Sequence, residues 1–211
     1  MHRNFLKVAV LLIAVLYTLA CSENPKSEQS SNQSANAPAG PPAPVSGKTA
    51  FWAMYKSAYS WSSDAAPLKL ESENVSGVRN EAGTAGMWRA TFGSARREEA
   101  IEISYAVAPQ PPDIIKGVNV GHPVFWAGPT RDVMPFQGSD IVTDSDVAYK
   151  TAVSQAESWL KKNSDKQASF LLGNNPTTFA RPVWFVQWGD KKSGYRVFVD
   201  SKTGQVAKPV K

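Results

Sequence analysis

The sequence predicts an α+β protein made of two helix-on-antiparallel-sheet units in tandem. Three observations carry this. First, residues 182–206 contain two runs rich in β-branched and aromatic residues, Val183-Trp-Phe-Val-Gln-Trp188 and Tyr195-Arg-Val-Phe-Val199, on either side of a polar, glycine-containing loop. Asp200-Ser-Lys-Thr-Gly204 then turns the chain into a third short run, the signature of a β-meander. Second, Trp88-Arg-Ala-Thr-Phe92-Gly93 followed by Arg96-Arg97 echoes Trp184-Phe-Val-Gln-Trp188-Gly189 followed by Lys191-Lys192. Third, each hairpin is preceded by a stretch with apolar residues at helical spacing, ending Ala58-Tyr-Ser-Trp61 in one case and Ala156-Glu-Ser-Trp159 in the other. The tryptophans are 27 residues apart in the first copy (61 to 88) and 25 in the second (159 to 184), so one small gap aligns the two.

At 211 residues the chain has room for one ordinary domain or two small ones, and 42% hydrophobic residues with seven Trp supply a core. The formal charge is +5, but the basic residues are scattered and their longest runs are pairs. Nucleic-acid binding needs a basic stripe, so none is expected.

The amino terminus reads as a secretory signal over residues 1–20. Arg3 and Lys7 form a basic n-region, and residues 8–20 form an apolar run too short to span a bilayer. The one cysteine, Cys21, follows directly. Leu19-Ala20-Cys21-Ser22 resembles the lipobox of bacterial lipoproteins, with Thr18 where that family favours leucine. The resemblance implies cleavage before Cys21, conversion of its thiol to a thioether, several acyl chains on that one residue and anchoring to the membrane. Ser22 in place of Asp implies the outer membrane, on its periplasmic side. Residues 21–47 have no aromatic side chain and are rich in Ser, Asn and Pro, a disordered tether between lipid and fold.

The first unit is expected over residues 48–108. Phe51, Trp52, Tyr55, Ala58 and Tyr59 share one helical face, and the helix ends before Pro67. Leu68 and Leu70 alternate with charged residues as a strand, residues 76–86 read as a loop, and residues 87–92 and 100–107 as a hairpin. Trp88, Ala90, Phe92, Ile101, Ile103 and Tyr105 fall on its buried face, and Arg89, Thr91, Glu102 and Ser104 on its wet face. Residues 109–142, with six prolines before residue 138, are a connector whose apolar 124–126 stretch packs on one of the units. The second unit spans 143–211: Asp144 or a neighbour caps a helix running to about Lys162, residues 168–172 form a strand, and the meander follows.

From Asp144 onward the chain resembles the PepSY domain of bacterial secreted and membrane proteins. The resemblance rests on Asp144-Ser-Asp-Val-Ala-Tyr-Lys-Thr-Ala152 and on Tyr195-Arg-Val-Phe-Val-Asp200-Ser-Lys-Thr-Gly204-Gln-Val206, with Asp200, Thr203 and Gly204 as its structural turn. It implies a PepSY/cystatin-like α+β fold, with the first unit a diverged copy lacking that turn. It also implies, for some members, the binding or restraint of a peptidase, and it brings no catalytic residues.

Catalysis is not expected. Beyond the signal the one histidine is His122, in a loop, and no cysteine is free for metal or nucleophile chemistry, so no metal or cofactor is assigned. Glu98-Glu99 and Asp144/Asp146 are the available carboxylate pairs, and solvation and helix capping account for them. A non-catalytic binding module is the leading reading. The outward positions Phe185 and Phe198, with Val183, are apolar where the first copy has polar residues. Together with Trp126 they form the candidate binding patch, either a seam between the repeats or a face that docks an envelope protein or peptidase. The alternatives are an aromatic-lined binder of cell-wall glycan and a purely structural envelope lipoprotein.

Overall fold

A computed structural model describes residues 40–190 and 192–210. Cys21, the signal and most of the tether lie outside the described residues. Two helices, α1 (Gly47–Trp61) and α2 (Ser145–Leu160), pack on one face of an eight-stranded antiparallel sheet, a mixed α+β architecture. The strands are β2 (Ala66–Glu73), β4 (Met87–Ser94), β5 (Glu99–Ala106), β6 (Gly117–Val120), β7 (Val124–Phe125), β8 (Ala168–Gly173), β9 (Val183–Trp188) and β10 (Tyr195–Asp200). Their order is β10-β9-β8-β2-β4-β5-β6, with β7 also beside β5. A separate two-stranded ribbon pairs β1 (Val45–Ser46) with β3 (Thr84–Ala85).

The two expected helix-on-sheet units share a single sheet. β2 and β8 pair with each other, Leu70 against Leu172 and Glu71 against Leu171, and fuse the halves into one sheet. A three-stranded sheet leaves its first strand with an unpaired row of N–H and C=O groups, and joining two such edges satisfies both. Outward from the junction each half reads first strand, then hairpin, with its own helix above: α1 on β4 and β5, α2 on β9 and β10.

The core lies between helices and sheet. Phe51, Met54, Trp88, Phe92, Trp184 and Trp188 are buried in one cluster shared by both halves. The Trp88 indole N–H donates to the Val45 carbonyl and that of Trp184 to the Thr143 carbonyl, both at 2.9 Å. Each acceptor is the residue just before its helix's cap, Ser46 and Asp144. The two rings meet edge to face, centroids 6.1 Å apart.

Three boundaries differ from those read in the sequence. Folded structure starts at Val45 rather than Lys48, because Val45 and Ser46 pair with β3 inside the expected 76–86 loop. The 109–142 segment is not only a connector: β6 and β7 pair with β5 and cover the edge of the first half. The 124–126 stretch joins the first unit through the β7–β5 pairing and the Trp126 ring against Gly93, while the side chains of Val124 and Phe125 remain 62% and 78% exposed. At the other edge, the Ala207 N–H donates to the Phe198 carbonyl and Val206 bridges to Val199, so the carboxyl-terminal chain partly covers β10. The Asp200 turn closes as its residue types dictate. The Asp200 carboxylate accepts from the Lys202 and Thr203 N–H groups, and Gly204 has φ +69°.

One carboxylate ties the first helix to its hairpin. Asp64 accepts from the hydroxyls of Ser62 and Ser94, both at 2.6 Å, and from the Arg96 N–H at 2.9 Å. These hydrogen bonds favour the ionised form and hold the Asp64 carboxyl well below the usual carboxylate range. A depressed folded value means the contribution is present above the unfolded value, ~3.9, and is lost as pH falls through the folded one. Asp64→Asn is therefore expected to lower the melting temperature by a constant margin from pH 5 to 8. That margin should shrink below about pH 4, where the Asp64 carboxyl of the unfolded chain takes up a proton and the folded one does not; thermal melts across the series check it.

Candidate functional site

The sheet face opposite the helices is where the halves differ. One row of register partners crosses it: Phe198, Phe185, Leu171, Glu71, Arg89 and Ser104, on β10, β9, β8, β2, β4 and β5 in turn. Alternation along each strand sends these side chains away from the core that Trp184, Leu172, Leu70 and Trp88 occupy. The row is apolar over the second half and ionic over the first.

The ionic half is an interlocked set. Arg89 contacts Glu73 through Nη2 at 2.9 Å and reaches Glu102 at 3.1 Å through Nη1, while Lys69 pairs with Glu71 at 2.7 Å. Arg89 Nε is also 2.9 Å from Glu73 Oε1, yet no hydrogen bond forms there, so that approach is ionic only. Partial burial pushes the Glu73 carboxyl up, against the pull of Arg89, and the neighbouring carboxylates of Glu71 and Glu102 add to the rise.

The apolar half is the floor of a groove of ≈ 390 Å³, toward the small end for ligand sites. Leu171, Val183, Phe185 and Phe198 form the floor, and two loop segments form the walls. One wall is Asp132 and Val133, held in place where the Met134 N–H donates to the Asn174 carbonyl and the Phe136 N–H to the Pro67 carbonyl, both at 3.0 Å. The other runs from Asn174 to Phe179. There the Asn175 side chain accepts from the Thr177 hydroxyl, and the Val210 N–H donates to the Thr178 carbonyl. Phe179 lies 4.7 Å from Phe198, which lies 5.1 Å from Phe185, giving three aromatic rings in series.

No family model matches the chain, and no curated protein matches it. Among solved structures, it is similar to a protein of Clostridium difficile 630 described as a putative lipoprotein. The two are 11% identical with a TM-score of 0.43, over 76% of this chain and 91% of that one. A likeness that low in both measures decides nothing about what this chain does.

Of the patch expected from sequence, Val183, Phe185 and Phe198 come together in the groove and Trp126 does not join them. Trp126 lies at the far end of the β4–β5 hairpin, where its N–H donates to the Glu98 carbonyl. Its ring covers Gly93, so closely that a Cβ there would lie 2.8 Å from it. The seam between the halves is the β2–β8 pairing and the meeting of the two helix starts, and the groove reaches that junction, since Leu68 and Lys69 of β2 also line it. Phe179, Leu171 and Val133 were missed by sequence reasoning. Leu171 was legible, since strict alternation against Phe170 and Leu172 sends it to the open face. Phe179 had only the oddity of a large aromatic after an Asn-Pro turn, and Val133 had no signal.

The carboxylate pairs have structural partners. Glu99 pairs with Arg97 at 2.9 Å, Asp146 lies 3.6 Å from Lys150, and Asp144 caps helices. His122 is exposed between β6 and β7. Among the described residues, no group of His, Cys, Asp and Glu is placed to hold a metal ion. No helix among them is long and apolar enough to cross a membrane.

Proposed function

We propose that this chain is a lipid-anchored bacterial envelope protein that acts as a non-catalytic peptide- or protein-binding module, docking its partner in the Phe185/Phe198 groove. The observation that carries the reading is the groove itself: it is lined by three aromatic rings and by Leu68, Val133, Leu171 and Val183, with Phe185 and Phe198 half-buried and Phe179 and Val183 buried beneath, on a sheet face that is ionic over its other half. Interface hot spots are aromatic anchors in pockets ringed by polar groups, and this groove has that composition.

The anchor is Cys21, with residues 22–39 as leash, and the outer membrane facing the periplasm is the proposed site; these rest on the sequence. The PepSY-like reading of both halves belongs here too, supported by their shared order of helix, strand and hairpin, and with it the restraint of a peptidase as the form the docking takes. A glycan binder is less well supported. Trp88, Trp184 and Trp188 are buried in the core, which removes them as stacking platforms.

Phe185→Ser tests the reading. Phe185 is half-buried and outside the shared core, so about 2 kcal/mol of stability is expected to go, near 5 °C in melting temperature for a domain this size. Crosslinking in intact cells should show an envelope partner with the wild type and not with the variant. Equal crosslinking by a folded Phe185→Ser protein sinks the groove as the docking site.

A further inference from the structure

The charge beside the groove says what kind of segment enters it. Resting on the docking reading above, we propose that the occupant is a segment of a partner protein carrying an apolar side chain and, roughly 10 Å along, a lysine or arginine, two strand spacings apart on the face. The apolar group seats on Phe185 and Leu171, and the cation meets Glu71 and the carboxylates beyond it.

Lys69 and Arg89 face Glu71, Glu73 and Glu102, so the ionic half of the face holds one carboxylate more than its cations neutralise. Asp132 on the groove wall adds another. This excess sits on a chain whose overall charge is +5, so the local sign opposes the global one. Burial of Glu73 and the closeness of Glu71 and Glu102 already disfavour its charge. A cation brought by the partner relieves that repulsion, and an acidic group adds to it.

The probes are two blocked peptides, acetyl-Leu-Phe-Ala-Lys-Ala-Lys-amide and its counterpart with glutamate for both lysines, titrated into the full chain and followed by amide chemical shifts. The lysine peptide is expected to move the amides of Leu171, Phe185, Phe198 and Glu71 and to bind at least tenfold tighter than the glutamate peptide. Glu71→Gln should weaken it about threefold to fivefold. Equal affinity for the two peptides, or no loss in Glu71→Gln, overturns the basic requirement and leaves the groove standing as a docking site. Failure of both peptides to move the groove amides overturns the inference and the docking reading together.

Discussion

Trp184→Ala is expected to remove about 4 kcal/mol of folding stability, the largest effect of any single truncation proposed for this protein. The ring is fully buried at the centre of the shared core, edge to face with Trp88 at 6.1 Å. It also lies beneath the start of α1, where a Cβ on Gly47 would stand 2.7 Å from its Cη2 atom. Truncation opens a cavity between the two halves and takes the Thr143 carbonyl's partner away. Trp184→Phe keeps most of the apolar contact and loses the hydrogen bond, so about 1–2 kcal/mol should go. Trp88→Ala should match Trp184→Ala, since its indole N–H makes the corresponding bond to Val45. The double variant should lose less than the sum, because the two rings touch each other. Denaturant unfolding reads all four. A Trp184→Ala protein that unfolds in two separate transitions, one unmoved, would contradict a core common to both halves.

Much of this arrangement was legible in the sequence. The period of 3.6 around Phe51, Tyr55 and Ala58 and the period of 2 through Trp184, Val186 and Trp188 mark the buried faces by residue type alone, although Trp52 and Tyr59, read onto the same helical face, are 42% and 57% exposed. The outward-facing, half-buried apolar pair Phe185 and Phe198 was legible for the same reason: on a strand with one buried face, the other set of positions is expected to be polar. Strand partners more than a hundred residues away were not legible. The β2–β8 junction depends on two short strands with no turn between them, and nothing local to Leu70 or Leu172 states which edge each will find. The groove walls escaped for a related reason. Asp132, Val133 and Phe179 lie in irregular chain, and hydrogen bonds to Pro67, Asn174 and Thr178 hold those loops in place, contacts that periodicity does not encode. Asp144 was readable as a cap by its type and its place before an apolar-periodic run, but its second partner was not.

That second partner makes Asp144→Ala the other large effect. Asp144 Oδ1 accepts the Ser145 N–H of its own helix at 2.6 Å and the Lys48 N–H of the other helix at 2.9 Å, while Oδ2 accepts the Ser46 hydroxyl at 2.6 Å. One carboxylate thus satisfies orphan donors at the starts of both helices, and its charge faces the positive ends of two dipoles. Ser145 answers from the second helix, its hydroxyl accepting the Gly47 N–H at 2.8 Å and donating to the Gly83 carbonyl. A lost cap costs about 1 kcal/mol, and here two helices lose one together with a short side-chain hydrogen bond, so about 3 kcal/mol is expected. Asp144→Asn keeps one acceptor oxygen and should cost roughly half as much. Asp146→Ala, one turn position on and paired only with Lys150 at 3.6 Å, is the control and should cost under about 0.5 kcal/mol. Denaturant melts at pH 7 with unchanged slope read the difference. An Asp144→Ala loss no larger than an ordinary single cap, about 1 kcal/mol, would mean that the two helix starts are not held through this side chain. In that case the β2–β8 pairing and the Trp88–Trp184 contact join the halves without it.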